Sequence, residues 1–189
     1  MITMIPPKNW QDLQVQVARI LSECGFAVDT EMIIKNVRGT VEIDVYAKET
    51  VNGRMYSIAC ECKNWKSNAP QNTIHGFRSV VSDLGVNLGI IITTSDYQSG
   101  ATEASAFTNI QLLTWEKFQL EFEKQWLKTY FQLKITKELN PLFTYTEPLP
   151  PAWFSRLTQE GQDIFLQLLR QHICFTVFIC SVFQNGGSI

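Results

Sequence analysis

Histidine is nearly absent from this chain. Only His75 and His172 occur in 189 residues, and the five cysteines (Cys24, Cys60, Cys62, Cys174 and Cys180) include no CxxC pair. A structural zinc site needs about four ligands at suitable spacing, which this set does not supply. An odd number of unpatterned cysteines reads instead as buried free thiols in a reducing cytoplasm. Charged residues are also sparse, at 18% against a usual share of about a quarter, while 45% of residues are hydrophobic. That balance excludes wholesale disorder and provides for one full core plus a second, smaller element. Basic charge is not in excess. The formal net charge is -2 and the sequence pI about 5.7, which excludes a protein that coats nucleic acid by bulk charge. Long hydrophobic runs are missing too. The most apolar stretch, Ile173 to Phe183, falls short of the roughly 20 residues a membrane span requires, and Met1 to Lys8 lacks an apolar signal core. The expectation is a cytoplasmic protein with no membrane segment. No internal repeat is visible.

Asn9 is placed to cap a helix beginning at Trp10, with Asp12 three positions on, and Leu13, Val17, Ile20 and Leu21 share one face as far as Gly25. Phe26 to Ile34 reads as a first strand, Arg38-Gly39 as a turn, and Val41 to Lys48 as a second strand alternating Val41, Ile43 and Val45 with Glu42, Asp44 and Tyr46. Asn52-Gly53 is a hairpin signal, and Met55 to Lys63 is the returning strand. A helix over Gln71 to Leu84, a buried strand over Leu88 to Thr93, a small-residue helix over Tyr97 to Phe107 and a last strand over Ile110 to Leu113 follow. The order α-β-β-β-α-β-α-β predicts an α/β fold with a mixed sheet flanked by helices. Beyond it the sequence predicts four divisions: a core over 1–118, a long amphipathic helix over 119–139, a Pro-rich linker over 140–151, and a C-terminal helical segment and tail over 152–189. The aromatic stripe from Trp115 to Tyr130 reads as packing, for the C-terminal segment or a second subunit.

The chemistry-bearing constellation is Asp44 on one strand of the hairpin and Glu61-Cys62-Lys63 on the other. Residues two apart on a strand share a face, so Glu61 and Lys63 point the same way, and antiparallel pairing lets Asp44 meet both. Two carboxylates and an ammonium on one face can hold a magnesium ion and position a water, which is the equipment for phosphodiester hydrolysis. Taken alone, Glu61-x-Lys63 fits an exposed hairpin with scattered charge better.

The flanking residues sharpen this. Asp44…Glu61-Cys62-Lys63 resembles the PD-(D/E)xK nuclease signature. The surroundings resemble the Mrr-type restriction endonuclease domain of the restriction-endonuclease-like superfamily. The supporting segments are the first helix closing on Cys24-Gly25-Phe26, Gly39 to Asp44, Glu61 to Trp65, Gly89 to Ser95 followed by Ala101, Ala104 and Ala106, and Ile110 to Leu113. They cover about residues 10 to 118. The resemblance implies a three-layer core with a helical C-terminal extension and a Mg²⁺-dependent (or Mn²⁺-dependent) DNA endonuclease acting in defence against foreign or modified DNA. It further implies Asp44, Glu61 and Lys63 as catalytic residues, with Asp44, Glu61 and the Cys62 backbone carbonyl as metal ligands. Two departures stand out: Gln14 occupies a place where the family often has glutamate, and Ile43 rather than proline precedes Asp44.

Around this centre, Gln14 and Glu42 are candidate supporting residues, although Glu42 also reads as a solvated strand glutamate. Arg38, Asn64, Trp65, Lys66, His75, Arg78, Thr93, Thr94 and Ser95 are candidate DNA contacts. For Thr93 to Ser95 the competing role is capping the next helix. Lys8, Lys35, Arg38 and Arg54 would form a basic rim if they cluster. The partner is DNA, with a homodimer as the fold-level analogy. Two alternatives stay open, a Holliday-junction resolvase-like nuclease and a non-catalytic DNA-binding or regulatory module on the same fold.

Overall fold

A computed structural model describes residues 1–36, 39–65, 69, 71–143 and 150–185, with side chains left aside at 36, 139–143 and 175–185. The chain divides into two compact units, Met1–Tyr130 and Phe131–Ile189.

The first unit opens with α1 (Trp10–Glu23). Asn9 Oδ1 accepts the Asp12 N–H at 2.8 Å, and Asp12 Oδ2 accepts the Lys8 N–H at 2.8 Å, so orphan donors at the helix start are satisfied reciprocally. Five strands follow: β1 (Ala27–Asn36), β2 (Gly39–Val51), β3 (Arg54–Lys63), β4 (Leu88–Thr93) and β5 (Ile110–Thr114). They lie in the order β1-β2-β3-β4-β5, antiparallel across β1, β2 and β3 and parallel across β3, β4 and β5. Asn52 and Gly53 both take positive φ (52° and 76°), closing the β2–β3 hairpin with Val51 opposite Arg54. Parallel pairing needs crossovers, supplied by α2 (Gln71–Leu84) and α3 (Ser99–Ser105), which pack on each other.

Two hydrophobic layers hold the sheet. On one face α1 and α4 (Trp115–Trp126) bury Leu13, Val17, Ile20, Phe118 and Phe122 against Val45, Cys60, Cys62, Ile90 and Ile92. On the other, Ile74, Phe77 and Val81 of α2 pack on Ala59, Ile91 and Ile110. The result is helix, mixed sheet, helix: the three-layer α/β arrangement expected.

Several boundaries differ from the sequence reading. The first unit runs past 118 because Phe122 is buried and packs on Phe118 (4.9 Å) and Phe26 (6.2 Å). The single helix expected from Trp115 to about Leu139 is interrupted by a π-helical turn, Leu127–Phe131, before α5 (Gln132–Phe143). Within that turn the Thr129 hydroxyl binds back to the Gln125 carbonyl at 2.8 Å, a bond that competes with regular helix. Helix α5 includes Asn140 and Pro141, the start of the expected linker, while 144–149 lie outside the described residues. Helix α3 is shorter than Tyr97 to Phe107, since Tyr97 bridges to Ala69 and Phe107 takes φ 56°. In the second unit, Trp153 and Phe154 pack their rings on Phe165 (5.6 and 5.1 Å) ahead of the body of α6 (Gln159–Asn185). No described helix is long and apolar enough to cross a membrane.

Two outcomes follow from this packing. A Cβ on Gly89 would fall 2.6 Å from both Ile110 Cδ1 and Val81 Cγ2. Gly89→Ala should therefore cost about 1–3 kcal/mol in denaturant unfolding, as overpacking of a close-packed layer does. Burial pushes the Cys24 thiol up to about 12, helped by Glu23 and Glu49, and raises Cys60 and Cys62 as well. A raised thiol pKa leaves little reactive thiolate at pH 8. Under native conditions a thiol reagent should thus label exposed Cys174 and spare Cys24, Cys60 and Cys62 until the protein is unfolded.

Candidate active site

Val45 pairs with Cys60 across the hairpin, and one step further the same register sets Asp44 opposite Glu61. Asp44, however, enters neither ladder among the described residues. Pairing of β1 with β2 passes from Thr30↔Val45 to Met32↔Ile43, skipping Glu31 and Asp44 without changing register, and pairing of β2 with β3 begins at Val45. Glu31 holds φ 53°, a left-handed conformation rare for a residue with a side chain. Both strands reverse their faces at this point. Val45 packs in the α1 layer, whereas Ile43, two residues away, packs in the α2 layer. Two residues apart on a regular strand would share a face, so the simple alternation read from the sequence breaks at Asp44.

The freed groups of Asp44 find other partners. Its Oδ2 accepts the Cys62 backbone N–H at 2.7 Å, and its backbone oxygen accepts from Gln14 Nε2 at 3.0 Å. Glu61 Oε1 and Lys63 Nζ form an ion pair at 2.6 Å, with side chains 21% and 29% exposed. The three residues singled out by sequence are therefore joined through one peptide N–H and one ion pair.

Charge is loaded unevenly here. Burial raises the Glu61 carboxyl above its ordinary value, Asp44 raises it further, and Glu42 adds a smaller push in the same direction, all outweighing the pull of Lys63. Burial alone would weaken the Lys63 ammonium, but the hydrogen bond and charge of Glu61, with Asp44, hold its proton more firmly than usual. Both partners are thus shifted upward. The direction on Lys63 reflects the ion pair, and that on Glu61 reflects burial and a like charge winning over it.

A divalent cation suits this electrostatic situation, because it would relieve the repulsion between the two carboxylates. Gln14 Oε1, buried and without a hydrogen-bond partner among the described residues, offers a further neutral oxygen nearby. Fully protein-built metal cages are absent: no group of three or more His, Cys, Asp or Glu suited to an ion occurs among the described residues. One or two carboxylates with water and substrate oxygens is the usual magnesium arrangement, and it needs no such cage.

The Mrr_cat restriction endonuclease family matches residues 8–120, more than half of the chain. The chain belongs to this restriction endonuclease family. Solved structures that resemble it include two of note. One is the crystal structure of a protein of unknown function, AF1548, with 25% identity, 57% of this chain and 59% of that chain covered, and a TM-score of 0.49. The other is the MspJI restriction endonuclease in complex with a 27-mer oligonucleotide, with 12% identity, 74% of this chain and 32% of that chain covered, and a TM-score of 0.42. This chain spans less than two thirds of the length of either. No curated protein matches it.

Among the peripheral candidates of this restriction-type domain, the structure sorts unevenly. Asn64 Oδ1 accepts the Thr94 hydroxyl at 3.0 Å, and Lys63 O accepts the Thr94 N–H at 3.3 Å, so the loop after β3 is tied to the turn after β4. Thr93 is fully buried and its hydroxyl pairs with Ser95 at 3.1 Å, facing away from solvent. Helix α3 begins after Gln98 with no side-chain cap, so the capping role considered for Thr93 to Ser95 does not hold. Trp65 is half-buried. His75 and Arg78 are exposed and, with Ser79 and Ser82, line a surface cavity of about 310 Å³ on the outer side of α2. Arg38 and Lys66 lie outside the described residues.

Of the expected basic rim, Lys35 and Arg54 do not share one patch, and Arg38 lies outside the described residues. Lys35 pairs with Thr40 and Arg54 with Val51, eleven positions apart on β2. At ~3.3 Å per residue that is roughly 35 Å. Sequence reasoning also passed over Tyr97, whose hydroxyl donates to Ile91 O at 2.6 Å and Leu113 O at 3.2 Å, fixing the turn beside the site. The signal was available, since a buried tyrosine must find a partner for its hydroxyl.

The raised Glu61 carboxyl makes a stability prediction. Its contribution is present at low pH and is lost as pH rises through the raised value, so in the cation-free protein Glu61 itself should contribute less stability at neutral than at acid pH. Asp44→Asn removes a like charge while an amide oxygen can still accept from Cys62. It should raise cation-free stability near pH 7 on the order of 1 kcal/mol, about 2–4 °C in Tm, and flatten that slope in thermal melts.

Proposed function

We propose that the chain is a Mg²⁺-dependent DNA endonuclease of restriction type, hydrolysing phosphodiester bonds in foreign or modified DNA. One observation carries the reading: β2–β3 register and the Asp44–Cys62 bond join Asp44 to the Glu61–Lys63 pair inside a domain of the restriction endonuclease family. In this reading Asp44, Glu61 and the Cys62 carbonyl hold the cation, with Mn²⁺ as an alternative. When bound, the cation neutralises phosphate charge and acidifies water.

The chain's own groups do the rest. Lys63, held protonated by its carboxylate neighbours, orients the attacking water and faces the charge that develops on the phosphate. It acts as a positioned charge rather than as a free base. Asn64 and Thr94 brace the strand ends that carry the site. In this reading His75, Arg78, Trp65 and Ser95 contact DNA, and Glu42 adds negative charge beside Glu61 for the cation to offset. A homodimer, with one site per strand, is the assembly this chemistry favours, in the cytoplasm.

Purified protein with Mg²⁺ should nick or linearise plasmid DNA, and chelation should stop it. Asp44→Ala and Lys63→Ala should each lower the cleavage rate by at least about 10²-fold while both variants still unfold cooperatively. Cleavage persisting unchanged in both would sink the assignment. Failure of the wild type to cut, together with no heat of Mg²⁺ or Mn²⁺ binding in calorimetry, would favour a non-catalytic module.

A further inference from the structure

Gln14 stands on the buried face of α1 between Leu13 and Val17, and it is 4% exposed. The Asp44 backbone oxygen it meets can only accept, so the amide must turn Nε2 toward it and leave Oε1 as the other end. That oxygen is buried and finds no partner among the described residues. Burying an acceptor without a partner is unfavourable, and natural sites that tolerate it usually meet a water, an ion or a ligand there. The Asp44 carbonyl, meanwhile, sits where both ladders are interrupted and Glu31 takes φ 53°. Strain of this kind persists only where surrounding contacts enforce it. The Gln14 amide is such a contact, and it joins α1 to the kink.

We propose that Gln14 is a positioning residue for Asp44: Nε2 holds the Asp44 main chain at the kink so that its carboxylate stays on the Cys62 N–H, and Oε1 accepts a water hydrogen at the cation site. This deepens the nuclease reading and rests on it for its catalytic half. The residue type is then required as an amide. An ionised glutamate has no donor for the Asp44 oxygen, and it adds a third negative charge beside Asp44 and Glu61. Gln14 is accordingly not a weakened carboxylate but a group that uses both ends.

Gln14→Glu and Gln14→Met keep the length of the side chain and both remove the donor. Each should lower kcat for Mg²⁺-dependent plasmid cleavage by about 10²-fold, the scale of a small misplacement of a reacting group, with KM little changed and cooperative unfolding retained. In ¹H–¹⁵N spectra of the cation-free wild type, the Gln14 side-chain amide pair, identified by its loss in Gln14→Met, should exchange slowly with solvent and should shift when Mg²⁺ alone is titrated. Wild-type kcat in Gln14→Glu would overturn the proposal, because an oxygen alone would then suffice. Amide protons exchanging as fast as those of surface glutamines would overturn it as well. So would variants that melt at lower temperature yet keep wild-type kcat, which would mark Gln14 as a structural tie only. If the wild-type protein cuts no DNA, the nuclease reading fails, and amide protection with the Mg²⁺-induced shift still decides whether the clamp exists.

Discussion

The hydrogen bond from the Cys62 N–H to Asp44 Oδ2 is the constraint around which the active end of this domain is arranged. A regular β2–β3 ladder would occupy the backbone of Asp44 and leave its side chain to stand off the sheet. Instead the ladder stops one residue short, and the carboxylate takes a peptide N–H that sheet pairing would otherwise organise. Everything adjacent follows from that exchange. The face of β2 reverses between Ile43 and Val45, the opposing Glu31 adopts a left-handed backbone, and the Asp44 carbonyl turns to Gln14 on a different layer of the fold. A charge-assisted bond to an N–H is stronger than a neutral one, which helps offset the irregularity.

The site is placed where the sheet can bear such a disruption. Strands β3 and β4 are parallel and end at Lys63 and Thr93; β4 is buried on both faces, and β3 is buried over Ile58–Cys60 and at Cys62. Their C-terminal ends are where chain leaves the ladder and side chains become available to a ligand, as in other open α/β sheets. The middle of the same strands is among the most tightly packed parts of the fold, with Ile90, Ile91 and Ile92 fully buried and Gly89 leaving no room for a methyl group. Rigidity below and irregularity at the tip are complementary. A carboxylate pair that repels itself needs a base that does not relax, and Tyr97 and the Asn64–Thr94 bond extend that base to the surrounding loops.

Much of this was legible in the sequence, for identifiable reasons. Asn52-Gly53 specifies a two-residue turn, so the pairing partner of β2 and its register follow locally, and with them the meeting of Asp44, Glu61 and Lys63. Gly25 and Asn9 mark the ends of α1 by conformational and capping requirements that act within a few residues. The parts that were not legible depend on contacts far apart in the chain. Alternation of Val41, Ile43 and Val45 predicted one continuous face, and only the competition of two helical layers for Ile43 and Val45 shows the reversal. The interruption after Trp126 depends on Thr129, whose hydroxyl also reaches Glu23 O, more than a hundred residues away. The supposed rim of Lys35 and Arg54 failed for a related reason. Lys35 lies on β1 and Arg54 on β3, and they pair with opposite ends of the thirteen-residue β2.

That failure bears on how an acidic chain would meet DNA. The net charge is -2, and the two basic strand-end residues Lys35 and Arg54 lie too far apart to form one positive patch. Lys63 is already engaged by Glu61. Under the nuclease reading, a phosphate approaching Glu61 without a cation would meet Asp44, Glu61 and Glu42 with the Lys63 ammonium to balance them. In that reading a bound cation would make the same site attractive rather than repulsive. Productive DNA binding and readiness for chemistry are then one electrostatic event, and a duplex held without the cation would be held elsewhere, by the outer side of α2 rather than at the carboxylates.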